Sequence, residues 1–289
     1  SLIVVIISLI ILLSFIIKYS KSIFSYNFLE LNGLYTTFKN LLPYAILSIT
    51  FLLYTQGNTF YIGVWLDAKN AAYFGLAYLF LNTIFVFPTA IYQRLLAHKL
   101  LYLMYNSLEE FKKLLSNLQD LLIILSNILI LLLYISAKFL ILTFFGEDYI
   151  KSVVILQLLA FIIPFRLLSI SIGTVLSTDD YIKERIKVEI YVTILNFLIN
   201  LILIKLIGVI GAIVSAILTE FILSLSFAKV IKKEFEIKVK FIFYFPLLIV
   251  IVLFFTNLPS LIEYIILSII TIILIKPIFH RLKSIQKYI

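Results

Sequence analysis

Nine apolar runs of about transmembrane length constrain the fold of this sequence more than any other feature. They lie at residues 2–17, 40–66, 71–97, 118–143, 150–176, 186–206, 208–230, 241–257 and 260–278. A helix needs about 20 apolar residues to cross the hydrocarbon core of a bilayer. Hydrophobic residues make up 63% of the chain, and a soluble fold of this size could not cover that much apolar surface. The sequence therefore predicts an all-α, polytopic membrane protein with about nine spans.

The distribution of basic residues predicts the topology. If the nine runs cross the membrane in turn, nineteen of the 24 Lys and Arg residues fall on one side, four fall on the other, and Arg166 lies within a span. Basic residues accumulate in cytoplasmic loops. We therefore expect a multi-pass protein of the cell (plasma or inner) membrane with a cytosolic C-terminus. The net charge of +9 follows from this topology, so nucleic acid is not an expected partner.

Several kinds of chemistry find no support in the sequence. Because the chain has no Cys, thiol catalysis and Cys-based metal sites are excluded. Its two His residues, His98 and His280, are far apart, and no metal site is predicted. There is no Gly-rich phosphate loop, no pair of catalytic carboxylates and no Ser/His/Asp set. We therefore predict a protein that is not an enzyme and has no catalytic residues.

Polar side chains recur at helical spacing within several spans. Because polar groups are costly in lipid, such a stripe marks the helix face that avoids lipid. Two arrangements satisfy this rule: a bundle around a polar cavity, or a packed bundle joined by interhelical hydrogen bonds. The stripes comprise Thr50, Tyr54, Asn58 and Tyr61 in the second span, Asn82, Thr89 and Gln93 in the third, and Glu189, Thr193, Asn196 and Asn200 in the sixth.

Two charged residues, Arg166 and Glu220, lie near the middle of predicted spans. Each is about ten residues from the cytosolic end of its span, which places both roughly 15 Å below that surface. A charge at this depth needs a partner or water. The sequence therefore allows an Arg166–Glu220 pair or a shared cavity. It equally allows a salt bridge that only fixes the packing of the helices.

Two further features concern local structure. Pro88 is expected to kink the third span. Residues 107–122 have apolar residues at helical spacing and a Ser107/Glu110 pattern typical of a capping box. This stretch is predicted to form an amphipathic helix along the membrane surface.

Four segments resemble the second lobe of polysaccharide flippases of the multidrug/oligosaccharidyl-lipid/polysaccharide exporter superfamily. The most specific is the series Asn196, Asn200, Gly208, Gly211-Ala212 and Thr219-Glu220. The segments read "LLPYAILSITFLLYTQGNTFYIG", "AAYFGLAYLFLNTIFVFP", "FFGEDYIKSVVILQLLAFIIP" and "NFLINLILIKLIGVIGAIVSAILTE".

The resemblance implies two six-helix lobes around a cavity that opens alternately to each side of the membrane. On this basis residues 1–39 are interpreted as the last helix of a first lobe missing from this sequence, followed by a cytosolic interfacial linker. Residues 40–230 would form the six-helix second lobe, and residues 231–289 two additional helices and a basic cytosolic tail.

The implied cargo is a polyprenyl-diphosphate-linked oligosaccharide, and the implied partners include a polysaccharide polymerase or glycosyltransferases. In this interpretation Arg166 and Arg94 would meet the diphosphate. Glu220 would bind a coupling proton or cation (Na⁺), or simply hold Arg166; no other cofactor is expected. The remaining cavity residues, several of them candidates to meet sugars, are Tyr54, Asn58, Tyr61, Asn82, Asn196 and Asn200.

One residue departs from the family pattern. Relatives often have an acidic residue near the position of Asn58, so a coupling role of that site is not expected here. Three alternatives remain open: a cation-coupled antiporter of drugs or small molecules in the same superfamily, a membrane-embedded polysaccharide polymerase or transferase, and a membrane scaffold without transport.

Overall fold

The computed structural model describes residues 31–237 and Val239, and this part of the chain is helical throughout, without strands. A π-helical turn, Tyr92–Leu96, joins α2 to α3, and 3-10 turns at Glu147–Tyr149 and Ala160–Ile162 precede α5 and α6. The α-helices are α1 (Leu31–Trp65), α2 (Ala68–Ile91), α3 (Ala97–Asn106), α4 (Leu108–Phe145), α5 (Lys151–Leu159), α6 (Ile163–Val175), α7 (Ile182–Ile207) and α8 (Val209–Phe235).

Six helical segments in the described part are long and apolar enough to cross a membrane. They confirm an all-α membrane protein, and each contains most of one predicted span between residues 40 and 230. The predicted spans 2–17, 241–257 and 260–278 lie outside the described residues. The segments are Thr36–Trp65, Ala68–Asn106, Leu108–Phe145, Lys151–Val175, Ile182–Ile207 and Val209–Phe235.

The described part of the chain divides between Ile46 and Leu47 into two compact units. In the first, the described residues form only the beginning of α1. The second unit, which starts at Leu47, contains the helix bundle and all the contacts described below.

Three turns show how the sequence separates the helices. Gly146 after α4 has φ 81° and Gly208 after α7 has φ 64°, left-handed conformations that suit glycine. Gly146 lies between two of the predicted spans, and Gly208 begins another. Between α1 and α2, the Asp67 side chain accepts a hydrogen bond from the backbone N–H of Asn70 at 2.7 Å. This bond caps α2 and lowers the pKa of the Asp67 carboxyl.

The segment 107–122 differs from its prediction as a separate surface helix. It forms the first part of α4, which continues for 38 residues to Phe145, about 57 Å at 1.5 Å per residue. The Ser107 side chain makes no capping hydrogen bond. No Gly or Pro lies between Ser107 and Phe145, so the sequence has no residue that would end the helix there.

Helix α2 continues through Pro88 into the π-helical turn. The N–H of Tyr92 bonds to the carbonyl oxygens of Pro88 and Thr89. A proline removes a backbone donor and crowds the turn before it, whereas this π-helical turn lies after Pro88. The kink predicted at Pro88 stays a prediction.

The antiparallel helices α7 and α8 pack closely beside the turn at Gly208. On α8, Gly211, Ala212, Ser215 and Ala216 are buried, a run of small residues that permits close helix approach. A Cβ atom at Gly211 would lie 2.1 Å from the carbonyl oxygen of Leu203. The backbones of α7 and α8 are therefore in contact at this point.

We expect Gly211→Ala to destabilise the protein by about 1–3 kcal/mol, because the added methyl group forces the two backbones apart. Gly63→Ala is a matched control, since a Cβ atom there meets only the Ala71 Cβ atom at 3.6 Å. The thermal midpoint of the detergent-solubilised variants measures both effects. Equal midpoints for the two variants would contradict the close approach.

Candidate binding site: an arginine-lined pocket backed by a buried ion pair

A buried ion pair joins α6 to α8. Arg166 Nη1 lies 2.5 Å from Glu220 Oε1, and the side chains are only 7% and 4% exposed. The sequence allowed these two charges to meet at one depth, and in the structure they are in direct contact. In a low-dielectric interior each charge offsets the cost of burying the other.

Three aromatic residues surround the Arg166 guanidinium. Its Nη1 donates a second hydrogen bond to Tyr54 Oη at 2.9 Å. The guanidinium carbon lies 4.5 Å from the ring centroid of Phe51 and 5.9 Å from that of Phe85. Cation–π contacts of this kind stabilise a desolvated cation. Through Arg166, the ion pair thus connects α6 and α8 with α1 and α2.

Arg166 also lines a pocket of about 710 Å³. The pocket lies among α2, the π-helical turn, α3 and α6, with Phe51 of α1 and Arg185 of α7 at its wall. Three arginines line it, and within the described part of the chain no Asp or Glu does. The pocket wall is therefore cationic. Its other polar lining residues are Asn82, Thr89, Gln93, Ser169, Thr174 and Ser177.

The arginines of the pocket differ in their partners. Arg94 is exposed and forms no ion pair with any described residue. Arg185 Nε lies 2.8 Å from Glu189 Oε1. Because Glu189 and Glu220 are not among the lining residues, the two paired arginines face the pocket with their carboxylate partners behind them.

A second set of contacts holds Arg185 in place. Its Nη1 donates to the carbonyl oxygen of Gly173 at 2.8 Å and to Ser177 Oγ. Glu189 Oε2 accepts a hydrogen bond from Thr50 Oγ1 at 3.1 Å. These bonds connect α7 with α1 and with the C-terminal end of α6, one wall of the pocket.

The predicted asparagines form a separate, buried cluster. Asn58 Oδ1 accepts hydrogen bonds from Asn196 Nδ2 at 3.2 Å and from Asn200 Nδ2 at 2.7 Å. Asn196 Nδ2 also donates to Thr219 Oγ1 at 2.8 Å. All three asparagines are at most 1% exposed and none lines the pocket. This cluster joins α1, α7 and α8 by interhelical hydrogen bonds, the second of the two arrangements that the polar stripes allowed.

The predicted site residues thus fall into four places. Arg94, Arg166 and Asn82 line the pocket; Tyr54 and Glu220 lie behind Arg166. Asn58, Asn196 and Asn200 form the buried asparagine cluster. Tyr61 lies apart and half-buried, with its ring stacked on Trp65 at 5.0 Å and edge-on to Phe197.

Sequence reasoning missed Arg185, Phe51 and Ser169 as pocket residues. Arg185 lies between two predicted spans and was counted only among the nineteen basic residues of the cytosolic side, although its i,i+4 spacing from Glu189 was a signal of an intrahelical pair. Phe51 gave no signal beyond being apolar. Ser169, whose buried Oγ has no hydrogen-bond partner in the described part of the chain, lies one helical turn after Arg166.

The described residues contain no group of three or more His, Cys, Asp or Glu side chains that could hold a metal ion. Comparisons with protein-family models, with curated proteins and with solved structures found no match for this chain.

A double-mutant cycle tests the buried ion pair. Arg166→Met is expected to lower the free energy of unfolding by about 3–5 kcal/mol, because it leaves a buried carboxylate without its cation. The double variant Arg166→Met/Glu220→Leu is expected to be more stable than the sum of the single effects predicts. Thermal midpoints in detergent compare the four proteins. Strict additivity would contradict a direct pair.

The asparagine cluster gives a separate prediction. Asn58→Leu removes the acceptor of two interhelical hydrogen bonds and is expected to cost about 1–2 kcal/mol. Asn82→Leu is the matched control, because Asn82 is half-buried in the pocket wall. Stability in detergent should fall for the Asn58 variant only. An equal loss in both would contradict a structural role specific to the cluster.

Proposed function

We propose that this protein is a membrane flippase that moves a polyprenyl-diphosphate-linked oligosaccharide from the cytosolic to the outer leaflet, for cell-surface polysaccharide synthesis. The observation that carries the proposal is the pocket lined by three arginines, without a carboxylate among the described lining residues, inside an apolar helix bundle. A cationic wall within a membrane protein favours an anionic cargo that has to pass the hydrocarbon core.

The chemistry of the wall fits a diphosphate joined to sugars. Arginine binds phosphate oxygens through paired N–H donors, and its charge persists at every physiological pH. The hydroxyl and amide groups beside the arginines are suited to sugar hydroxyls. The pocket volume of about 710 Å³ lies within the roughly 300–1,000 Å³ typical of small-molecule sites.

The predicted topology indicates from which side of the membrane a cargo would enter the pocket. Arg94 follows α2 and Arg185 begins α7, both at predicted cytosolic ends, whereas Arg166 lies roughly 15 Å deeper. The pocket would therefore load from the cytosolic side. Alternating access would require the other lobe that the family resemblance implies, and the polymerase or glycosyltransferases of the same pathway would supply and consume the cargo.

The charge of the wall also bears on the alternatives. An antiporter of cationic drugs needs an acidic or aromatic pocket, so the three arginines favour the anionic cargo. A polymerase or transferase acting on the same lipid carrier would share the need for cations at a diphosphate. Only translocation, measured between leaflets, separates such an enzyme from a flippase.

A reconstituted transport assay tests the function. In vesicles containing the purified full-length protein and a labelled lipid-diphosphate oligosaccharide, Arg94→Ala and Arg166→Ala are each expected to slow translocation by about tenfold or more, a loss of at least ~1.4 kcal/mol of cargo binding. Lys99→Ala removes a nearby cation that does not line the pocket and serves as the control.

The outcomes of this transport assay distinguish a flippase from a polymerase. Translocation that is slowed in both arginine variants and retained in the lysine control supports the flippase. Unchanged translocation in both arginine variants, or none in the wild-type vesicles, would contradict it. Turnover of the labelled lipid into a longer chain would point instead to the polymerase.

A further inference from the structure

The two edges of the Arg166 guanidinium have different environments. Both of its hydrogen bonds, to Glu220 Oε1 and Tyr54 Oη, are donated by Nη1. Its Nε and Nη2 have no hydrogen-bond partner among the described residues, and Arg166 lines the pocket. A guanidinium carries five N–H donors and binds an oxyanion through two parallel bonds. One end of the cation is therefore occupied by Glu220, and the Nε–Nη2 edge is available to an anion in the pocket.

Glu220 likewise uses only one of its two carboxylate oxygens in hydrogen bonding. Oε1 accepts the bond from Arg166, whereas Oε2 has no hydrogen-bond partner in the described part of the chain, although the residue is only 3% exposed. A buried ionised carboxylate usually has both oxygens bonded. Oε2 is thus an unoccupied position at which a proton can bind.

The titratable groups that interact electrostatically with Glu220 lie on four helices. They are Arg166 of α6, Tyr54 of α1, Tyr78 of α2 and Glu189 of α7. Of these only Arg166 is a cation, and Glu189 is neutralised by its own partner, Arg185. The charge of Glu220 is therefore balanced by Arg166 alone.

We propose that Glu220 is a proton-binding site, and that an anion binding to the open edge of Arg166 brings a proton onto Glu220. This inference rests on the proposed function, which supplies the anion as a diphosphate. One cation cannot neutralise two anions in a low-dielectric site, and a second anion nearby favours the uncharged form of a carboxyl group. The step is a simple protonation: a proton from solvent forms an O–H bond at Oε2, and no other bond changes.

Charge balance shows what the proton accomplishes. A diphosphate diester carries two negative charges, which match those of Arg94 and Arg166. With Glu220 ionised the loaded site has an excess negative charge, and with Glu220 protonated it is neutral. Anion and proton therefore bind cooperatively, and each raises the affinity for the other by the same factor.

Binding measurements on the purified full-length protein in nanodiscs test this linkage. The probe is a short-chain prenyl diphosphoryl glucose, whose diphosphate is a diester and keeps its charge between about pH 6 and 8. Calorimetry in two buffers of different ionisation enthalpy counts the protons taken up. We expect net proton uptake of up to about one per probe, and an affinity that rises by up to about tenfold for each unit that the pH falls.

Two variants locate the proton. Glu220→Gln mimics the protonated acid, so it should bind the probe without proton uptake, and at the upper end of the pH range it should bind more tightly than the wild type. Glu189→Gln is the matched control: both oxygens of Glu189 are already hydrogen-bonded, and this variant should keep the pH dependence.

Each result decides the proposal. Proton uptake in the wild type that disappears in Glu220→Gln supports it. Probe binding without proton uptake in the wild type would overturn this inference and leave the proposed function standing, and this readout does not depend on any variant folding. Proton uptake that persists in Glu220→Gln would also overturn it. Absence of probe binding at every pH would overturn both the inference and the proposed function.

Discussion

The cost of placing a charge in the hydrocarbon core is the constraint on which the rest of this structure depends. On insertion scales a charge at the centre of a transmembrane helix costs about 2.5–3.5 kcal/mol, so Arg166 is retained only because its surroundings compensate it. Glu220 supplies the opposite charge, Tyr54 accepts a hydrogen bond, and Phe51 and Phe85 present their rings. These contacts bring α1, α2, α6 and α8 together around one guanidinium.

Two polar regions of the bundle compensate the cost of burying polar groups in different ways. The cluster of Asn58, Asn196 and Asn200 pairs its amide groups with each other, and it holds helices together without reaching the pocket. Arg166 and Arg185 pair on one side only, with their carboxylates behind them and the pocket in front. Interhelical hydrogen bonds stabilise the bundle, whereas a cationic wall facing a pocket is suited to binding an anion.

The positions of the helices could largely be predicted from the sequence alone, whereas the composition of the site could be predicted only in part. The apolar runs located the spans, because length and hydropathy decide membrane insertion. Helical spacing identified polar faces, but it does not show which helix lies opposite, so Asn196 and Arg166 appeared equally suited to a cavity. Arg185 was missed because counting basic residues on each side of the membrane uses their positions along the chain and does not consider partners such as Glu189.

The most direct measurement of the central claim is the sidedness of lipid-linked oligosaccharides in cells that lack the complete gene, determined by mass spectrometry after selective labelling of the outer leaflet. The account predicts that intact oligosaccharide-lipid accumulates on the cytosolic face, since its synthesis continues while its translocation stops. Normal amounts of intact oligosaccharide-lipid on the outer face, or an unextended carrier accumulating there, would contradict a flippase.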